Sequence, residues 1–346
     1  MRGRALLIGS VAVLAAILGP PAAHATFPGA NGRIAFASDR SGNLEIYSMK
    51  RDGTGVKRLT HFAGFDENPA WSPGGGKIAF DRQRQGNDDV YSMKADGTGV
   101  QRLTHNAADD FNPAWSPNGT RIAFTSLRTG NGDVYVLNLV TGAVKRLTFG
   151  AAFDGNADWS PNGARIAFQS DRSGNADLFT MRPDGTGLKK VTTSVHDDLF
   201  PSWAPGGGKI AFIRVIGAST QVFTIKPDGT GSTQLTHTPL LKGTLAWSPD
   251  GAKIALTAGP GENPDIFVMN ADGSNPHRLS GGTSPGSDGS PSWQRSATSC
   301  AWRLNCVCAR TDSALRMFPW LRSKNGRSMF TDTMYELASG KPIAFV

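Results

Sequence analysis

Six tryptophans, Trp71, Trp115, Trp159, Trp203, Trp247 and Trp293, stand 44, 44, 44, 44 and 46 residues apart. Six tripeptides of Ile-Ala-Phe type, starting at Ile34, Ile78, Ile122, Ile166, Ile210 and Ile254, keep a strict spacing of 44. A unit of that length cannot bury its faces alone and must stack on its neighbours. Periods of about 40–50 residues are the mark of propeller blades, each a four-stranded sheet. Residues 69–104 read as one such unit. Pro69–Pro73 runs into the turn Gly74-Gly-Gly76, followed by Lys77–Phe80, a polar loop, Asp89–Met93, the turn Ala95-Asp-Gly97 and Val100–Thr104. Alternating β-branched and aromatic residues between Asp-Gly and Asn-Gly turns signal hairpins, because Gly and Asn tolerate positive φ. No sustained helical period appears between residues 30 and 294, so an all-β chain is expected.

The phase of the repeat predicts how the ring closes. Residues 31–60 supply the Ile-Ala-Phe strand and the two after it, but no Trp strand precedes them. The missing strand stands at the other end, as Ser290-Pro-Ser-Trp-Gln294. Joined to three N-terminal strands, it would complete a sixth blade and remove the open edges. The six tryptophans read as large rings packed between blades.

Trp-Ser-Pro-x-Gly, then Ile-Ala-Phe, an acidic residue before an aliphatic-aromatic strand, Asp-Gly and Arg-Leu-Thr together resemble the TolB-type propeller repeat, also called WD40-like or PD40. The resemblance covers about residues 27–294 in six tandem copies. It implies a six-bladed β-propeller; the separate N-terminal α/β domain of TolB proper is not expected here.

The N-terminus has the layout of a secretory signal peptide over residues 1–25. Arg2 and Arg4 precede the apolar run Ala5–Leu18, and Ala23-His-Ala25 offers a small-x-small cleavage site. The run is short for a membrane span, so export and a mature start near Thr26 are expected, with a retained anchor as the alternative. The destination would be periplasm, cell envelope or medium. The formal charge of +8 divides into +2 from the signal, +5 from residues 295–346 and about +1 for the propeller, residues 26–294. With the propeller close to neutral, the basic total is no argument for nucleic-acid binding, and no nucleic-acid partner is expected. Basic residues recur beside the Leu-Thr strand (Lys57-Arg58, Arg102, Lys145-Arg146, Lys189-Lys190, Arg278), where they guard an outer edge against pairing. From Arg295 the repeat stops, and Cys300, Cys306 and Cys308 all fall in this tail. An odd cysteine count in an exported chain, without a fourth metal ligand, suggests a poorly ordered appendage.

The candidate site lies five residues before each Trp, at Asp66, Asp110, Asp154, Asp198, Lys242 and Asp288. Glu67, Asp109 and Asp197 add neighbouring carboxylates, and Asn68, Asn112, Asn156, Phe200, Thr244 and Ser290 stand three before Trp. In the phase the resemblance implies, the Trp strand is innermost and these residues ring one mouth of the channel. Such a ring would focus negative potential on a basic peptide, a cationic small molecule or Ca²⁺. The competing reading is local: Asp at a strand entrance bonds backbone N–H groups, and repeats copy such braces. The fifth copy departs from the pattern, with Lys242 in place of Asp and Gln221 in place of the acidic residue at Glu45, Asp89, Asp133, Asp177 and Asp265. A Lys facing five carboxylates would neutralise or gate the ring, and drift in one blade is the alternative.

Enzyme signatures fit poorly. Gly282-Thr-Ser-Pro-Gly286 has the nucleophile-elbow spelling but lies in a loop leading into the closing strand, not between strand and helix. Gly74-Gly-Gly-Lys77 is a hairpin turn. His61, His105 and His237 share one repeat position on separate blades and read as exposed loop residues. Three functions remain. The first is a non-catalytic, monomeric binding module for another envelope or secreted protein or peptide. The second is a metal-dependent hydrolase or lactonase with an axial cation held by Asp66, Glu67, Asn68, Asp110, Asn112, Asp154 and Asn156. The third is a purely structural propeller.

Overall fold

A computed structural model of the chain describes residues 27–238, 241–259, 263–281 and 286–296, with two short strands further on. Contacts divide the chain into two units, Met1–Ala297 and Thr298–Val346. In the second, Met334–Tyr335 pairs with Pro342–Ile343. The signal read over residues 1–25, the Gly282–Pro285 part of the elbow spelling and the three tail cysteines lie outside the described residues.

The first unit is a six-bladed β-propeller, and no helix occurs among its described residues. Blade 1 orders Asp66–Trp71, Lys77–Arg84, Asn87–Lys94 and Gln101–Arg102 from inside to outside. Blade 2 starts at Asp110–Trp115, blade 3 at Asp154–Trp159, blade 4 at Asp198–Trp203 and blade 5 at Leu241–Trp247. Blade 6 combines Asp288–Arg295 with Asn31–Ser38, Glu45–Met49 and Lys57–Arg58. Its inner pair is antiparallel, with Trp293 opposite Ile34. Across the seam, Trp71 N–H donates to Ser292 Oγ at 3.1 Å and Gln294 Nε2 to Gly75 O at 2.8 Å.

The repeat motif becomes a repeated packing unit. The Ile of each second strand and the Phe of five of them are fully buried, and the six repeat tryptophans are at most 5% exposed. In five blades the second-strand Phe stacks on an aromatic of the third strand, as in Phe80–Tyr91 at 5.9 Å and Phe168–Phe179 at 6.0 Å. Such offset pairs add to the burial of two large rings. In blade 5 Leu256 faces Phe267 instead.

Two turn designs join the middle strands of five blades. Blades 1 and 4 use two-residue turns, Gln85-Gly86 and Gly217-Ala218, which bring Arg84 opposite Asn87 and Ile216 opposite Ser219. Gln85 takes φ 56° and Gly86 φ 80°, the double left-handed turn that matches strand twist. Blades 2, 3 and 6 carry six-residue loops, 127–132, 171–176 and 39–44. Blades 1 and 4 are three apart in a ring of six, so the two tight hairpins lie on opposite sides of the axis.

Candidate functional site

Each acidic residue five before Trp heads an inner strand, and the register places it beside the far end of the second strand. The carboxylates of Asp66, Asp110, Asp154, Asp198 and Asp288 are buried, each clasped by one arginine of its own blade. Arg82 reaches Asp66 at 2.6 and 2.7 Å, and Arg214 reaches Asp198 at 2.7 and 2.8 Å. In blades 2, 3 and 6 the arginine sits two positions later, as Arg128, Arg172 and Arg40, and its Nε donates to the serine that stands opposite the aspartate. The guanidinium also lies over the aromatic pair, 4.5 Å from Tyr135 for Arg128 and 5.1 Å from Tyr47 for Arg40. A planar, forked cation is needed to chelate a carboxylate and stack at once, which lysine cannot do. Burial still outweighs the arginine at Asp66, Asp110 and Asp198 and holds those carboxyls above their ordinary range. The ring is therefore neutralised blade by blade, and each pair braces the loop that leads into an inner strand.

Blade 5 lacks the whole device. Lys242 stands at the aspartate position, Ala258 opposite it and Leu256 at the aromatic position. Lys242 Nζ donates to the carbonyls of Thr220 and Thr238 at 3.1 and 2.9 Å, and burial lowers its pKa to about 8. The two departures expected in one copy fall in different sheets: Gln221 belongs to blade 4, next in sequence to the threonine that Lys242 of blade 5 grips, because the repeat read along the chain runs across the boundary between blades.

The outer basic residues do more than guard edges. Arg58, Arg102, Arg146, Lys190 and Arg278 pair with Glu45, Asp89, Asp133, Asp177 and Asp265 on the adjacent strand. In blade 4 both members change together, to Gln234 and Gln221. Lys57, Lys145 and Lys189 each donate at 3.0 Å to the carbonyl of an aspartate in the next blade's Asp-Gly turn. These ties between blades gave no signal beyond a recurring Lys.

Asn68, Asn112, Asn156, Phe200 and Ser290 have φ between 51° and 56° and form a bulge in the inner strand. Asn accepts that left-handed geometry readily, whereas Phe200 and Ser290 hold it at some strain. The side chains engage one another near the axis. Asn112 Nδ2 donates to Asn156 Oδ1 at 2.6 Å, and Ser290 Oγ donates to Asn68 Oδ1 at 2.9 Å. The bulge N–H groups donate to the second strand of the preceding blade: Asn112 to Asp81, Asn156 to Thr125 and Phe200 to Gln169. Among the described residues no three of His, Cys, Asp and Glu are grouped to hold a metal ion. His61, His105 and His237 are exposed.

Glu67 is different from its neighbours in the ring. It stands opposite Asp81, a like-charged cross-strand pair, and no basic group compensates them. Burial, then Asp88 and Asp66, raise the Glu67 carboxyl to about 8. Burial, then Asp109 and Asp89, raise Asp88 to about 6, and Asp81 is pushed well above its ordinary value by burial, Glu67 and Asp88. The corresponding residues of the other blades are small, apolar or neutral, as in Gly155, Gln169 and Ala176 of blade 3. Sequence reading singled out Glu67 and Asp109 but missed Asp81 and Asp88; their departure from the repeat was the available signal. It also missed Asp158, fully buried, accepting from Trp203 N–H at 2.6 Å and driven by burial well above its ordinary pKa.

Comparison with known proteins agrees with this geometry. The model of the TolB beta propeller domain, PD40, matches residues 7–112 and 108–245. The Tol-Pal system protein TolB of Geobacter sulfurreducens is 52% identical over 44 residues, which are 13% of this chain and 10% of that protein. The crystal structure of TolB from Acinetobacter baumannii superposes with a TM-score of 0.66 at 22% identity, over 76% of this chain and 66% of that one. An oligogalacturonate lyase from Vibrio parahaemolyticus superposes with a TM-score of 0.52 at 13% identity, over 74% of this chain and 77% of that one. The two superpositions speak for the fold alone, while the domain match spans well over half of the sequence. With six copies of its repeat and six blades to match, the chain belongs to the TolB β-propeller family.

Proposed function

We propose that this chain is an exported, non-catalytic propeller that binds a basic segment of another envelope or secreted protein or peptide. The contact would lie at the mouth of the ring on the Glu67 side of blade 1. One observation carries this reading: the carboxylates that head the inner strands are matched by arginines, whereas Glu67, Asp81 and Asp88 are not. Uncompensated carboxylates in a largely buried setting draw a cation and release protons as it arrives. A lysine or arginine side chain would supply the missing charge. The relative named as a Tol-Pal system protein and the family membership support a binding role in the envelope.

The test is a titration of the full chain with a blocked tetralysine peptide. Glu67→Gln with Asp88→Asn should weaken binding about tenfold while the melting temperature holds or rises, whereas Asp110→Asn should lower the melting temperature. Binding that survives the double substitution would sink the Glu67 site. A melting temperature that rises with Ca²⁺ and falls with EDTA would move the reading to a hydrolase with an axial cation, since a ligand selective for the native state stabilises it.

A further inference from the structure

Blade 1 carries one arginine more than its inner strand can use. Arg84 occupies the repeat position of Arg40, Arg128 and Arg172, each of which clasps a carboxylate with two hydrogen bonds. In blade 1 that carboxylate, Asp66, is taken by Arg82 two residues earlier. Arg84 is left exposed and makes no hydrogen bond or ion pair with a described residue.

Arg84 lines a cavity of about 580 Å³ with Gln85, Asn87, Asp89, Arg102 and His105. Two further groups there depart from the repeat. Arg58, Arg146 and Arg278 each donate Nε to a backbone carbonyl two residues on, at 2.7–2.8 Å. Arg102 Nε, at the same position, is buried and has no partner. Asn87 Oδ1 is also buried and accepts no hydrogen bond. A buried polar group without a partner costs stability, and a pocket that gathers two such groups beside an unengaged guanidinium fits a ligand able to satisfy all three. Asp89 is balanced by Arg102, so Arg84 leaves the cavity with net positive charge. The acidic group of this blade lies elsewhere. Strand alternation puts Asp81 and Asp88 on the face opposite to Arg84, Asn87 and Asp89.

From this geometry we infer that the cavity beside the Gln85-Gly86 turn is a second binding site, specific for an acidic residue within a peptide. Arg84 receives the carboxylate, as Arg40, Arg128 and Arg172 do inside their own blades, with the part-exposed Arg102 beside it. Asn87 Oδ1 accepts a peptide N–H next to it, a contact that an anion without a donor hydrogen, such as sulfate, cannot make. His105, which shares its repeat position with His61 and His237, forms part of the wall. The register of Asp66 with Arg82 places this turn on the face of the ring where the inner strands begin. The site is thus distinct from the Glu67 carboxylates in chemistry and shares their face of the propeller.

The probe is a fluorescein-labelled, C-terminally amidated tetraglutamate, titrated into the full chain and followed by anisotropy, with labelled tetraglutamine as the uncharged control. Saturable binding of tetraglutamate and none of tetraglutamine is expected. Arg84→Ala should weaken it by about tenfold or more, the size of a lost charge-assisted contact, with the melting temperature unchanged because the side chain has no internal partner. Glu67→Gln with Asp88→Asn should leave it unaltered, which separates this site from the basic-peptide site. Two results would overturn the inference: no saturable binding at about millimolar peptide, or equal affinity in Arg84→Ala. Displacement by sulfate at equal concentration would overturn the peptide assignment.

Discussion

In five blades a carboxylate at the head of the inner strand meets an arginine and an aromatic pair, whereas blade 5 has Lys242, Ala258 and Leu256 in those places. None of the three is lost alone. A buried carboxylate without its arginine is an uncompensated charge, and an arginine without its carboxylate and rings has nothing to chelate or to lie on. The outer pair of blade 4 follows the same logic, with Gln221 and Gln234 replacing acid and base together; Gln221 accepts from Thr236 Oγ1 at 2.8 Å and Gln234 donates to Thr236 O at 2.7 Å. Ion pairs in this ring are exchanged as units, and blade 1 is informative because its counts of acid and base do not match the unit.

The largest effect is expected where one member of an intact unit is removed. Arg172→Ala should cost about 3 kcal/mol of unfolding free energy in chemical denaturation, and Asp154→Asn with Arg172→Ala should cost clearly less than the two single changes added. Additive costs would break the comparison with blade 5.

Blades 1 and 5 should next give stability opposite slopes with pH. Glu67 titrates at about 8 in the fold against an ordinary 4.5. Its contribution is complete below about pH 4.5 and is lost as pH rises through about 8. Lys242 titrates at about 8 against an ordinary 10.5, so its contribution is present above about 10.5 and is lost as pH falls through about 8. That slope should be the shallower of the two, because Lys242 moves less from its ordinary value. Glu67→Gln should reduce the first slope, which Asp81 and Asp88 share, and Lys242→Met should flatten the second, each leaving the other in place.

The smallest effect sharpens the outer comparison. Gln221→Asp with Gln234→Arg, which installs in blade 4 the pair its neighbours have, should change stability by no more than about 1 kcal/mol, since a partly exposed ion pair contributes little net. Gln221→Asp alone should cost about 1–2 kcal/mol, because it places an unpaired carboxylate near the core.

Much of this was legible in the chain. The Trp and Ile-Ala-Phe periods, the Asp-Gly turns and the offset of Trp293 from Ile34 were enough to expect six blades and four strands in each. The candidate ring at Asp66, Asp110, Asp154, Asp198 and Asp288 was visible as a column of like residues, and so was Lys242 as its exception. Their partners were not visible. Arg82 and Arg84 are both plausible mates for Asp66 by distance along the chain, and Ser38, Ser126 and Ser170 give no hint that they seat an arginine.

The sequence by itself determined the fold, because hydrophobic alternation, turn residues and repeat length act locally and add up copy by copy. Tertiary structure decided which charges survive as charges. A two-residue turn puts an arginine directly opposite Asp66 and Asp198, whereas a six-residue loop swings it in from two positions further on. Only the assembled hairpin, brought against its neighbouring blade, fixes which carboxylates are neutralised, which are left crowded together at Glu67, and which arginine remains without an internal partner.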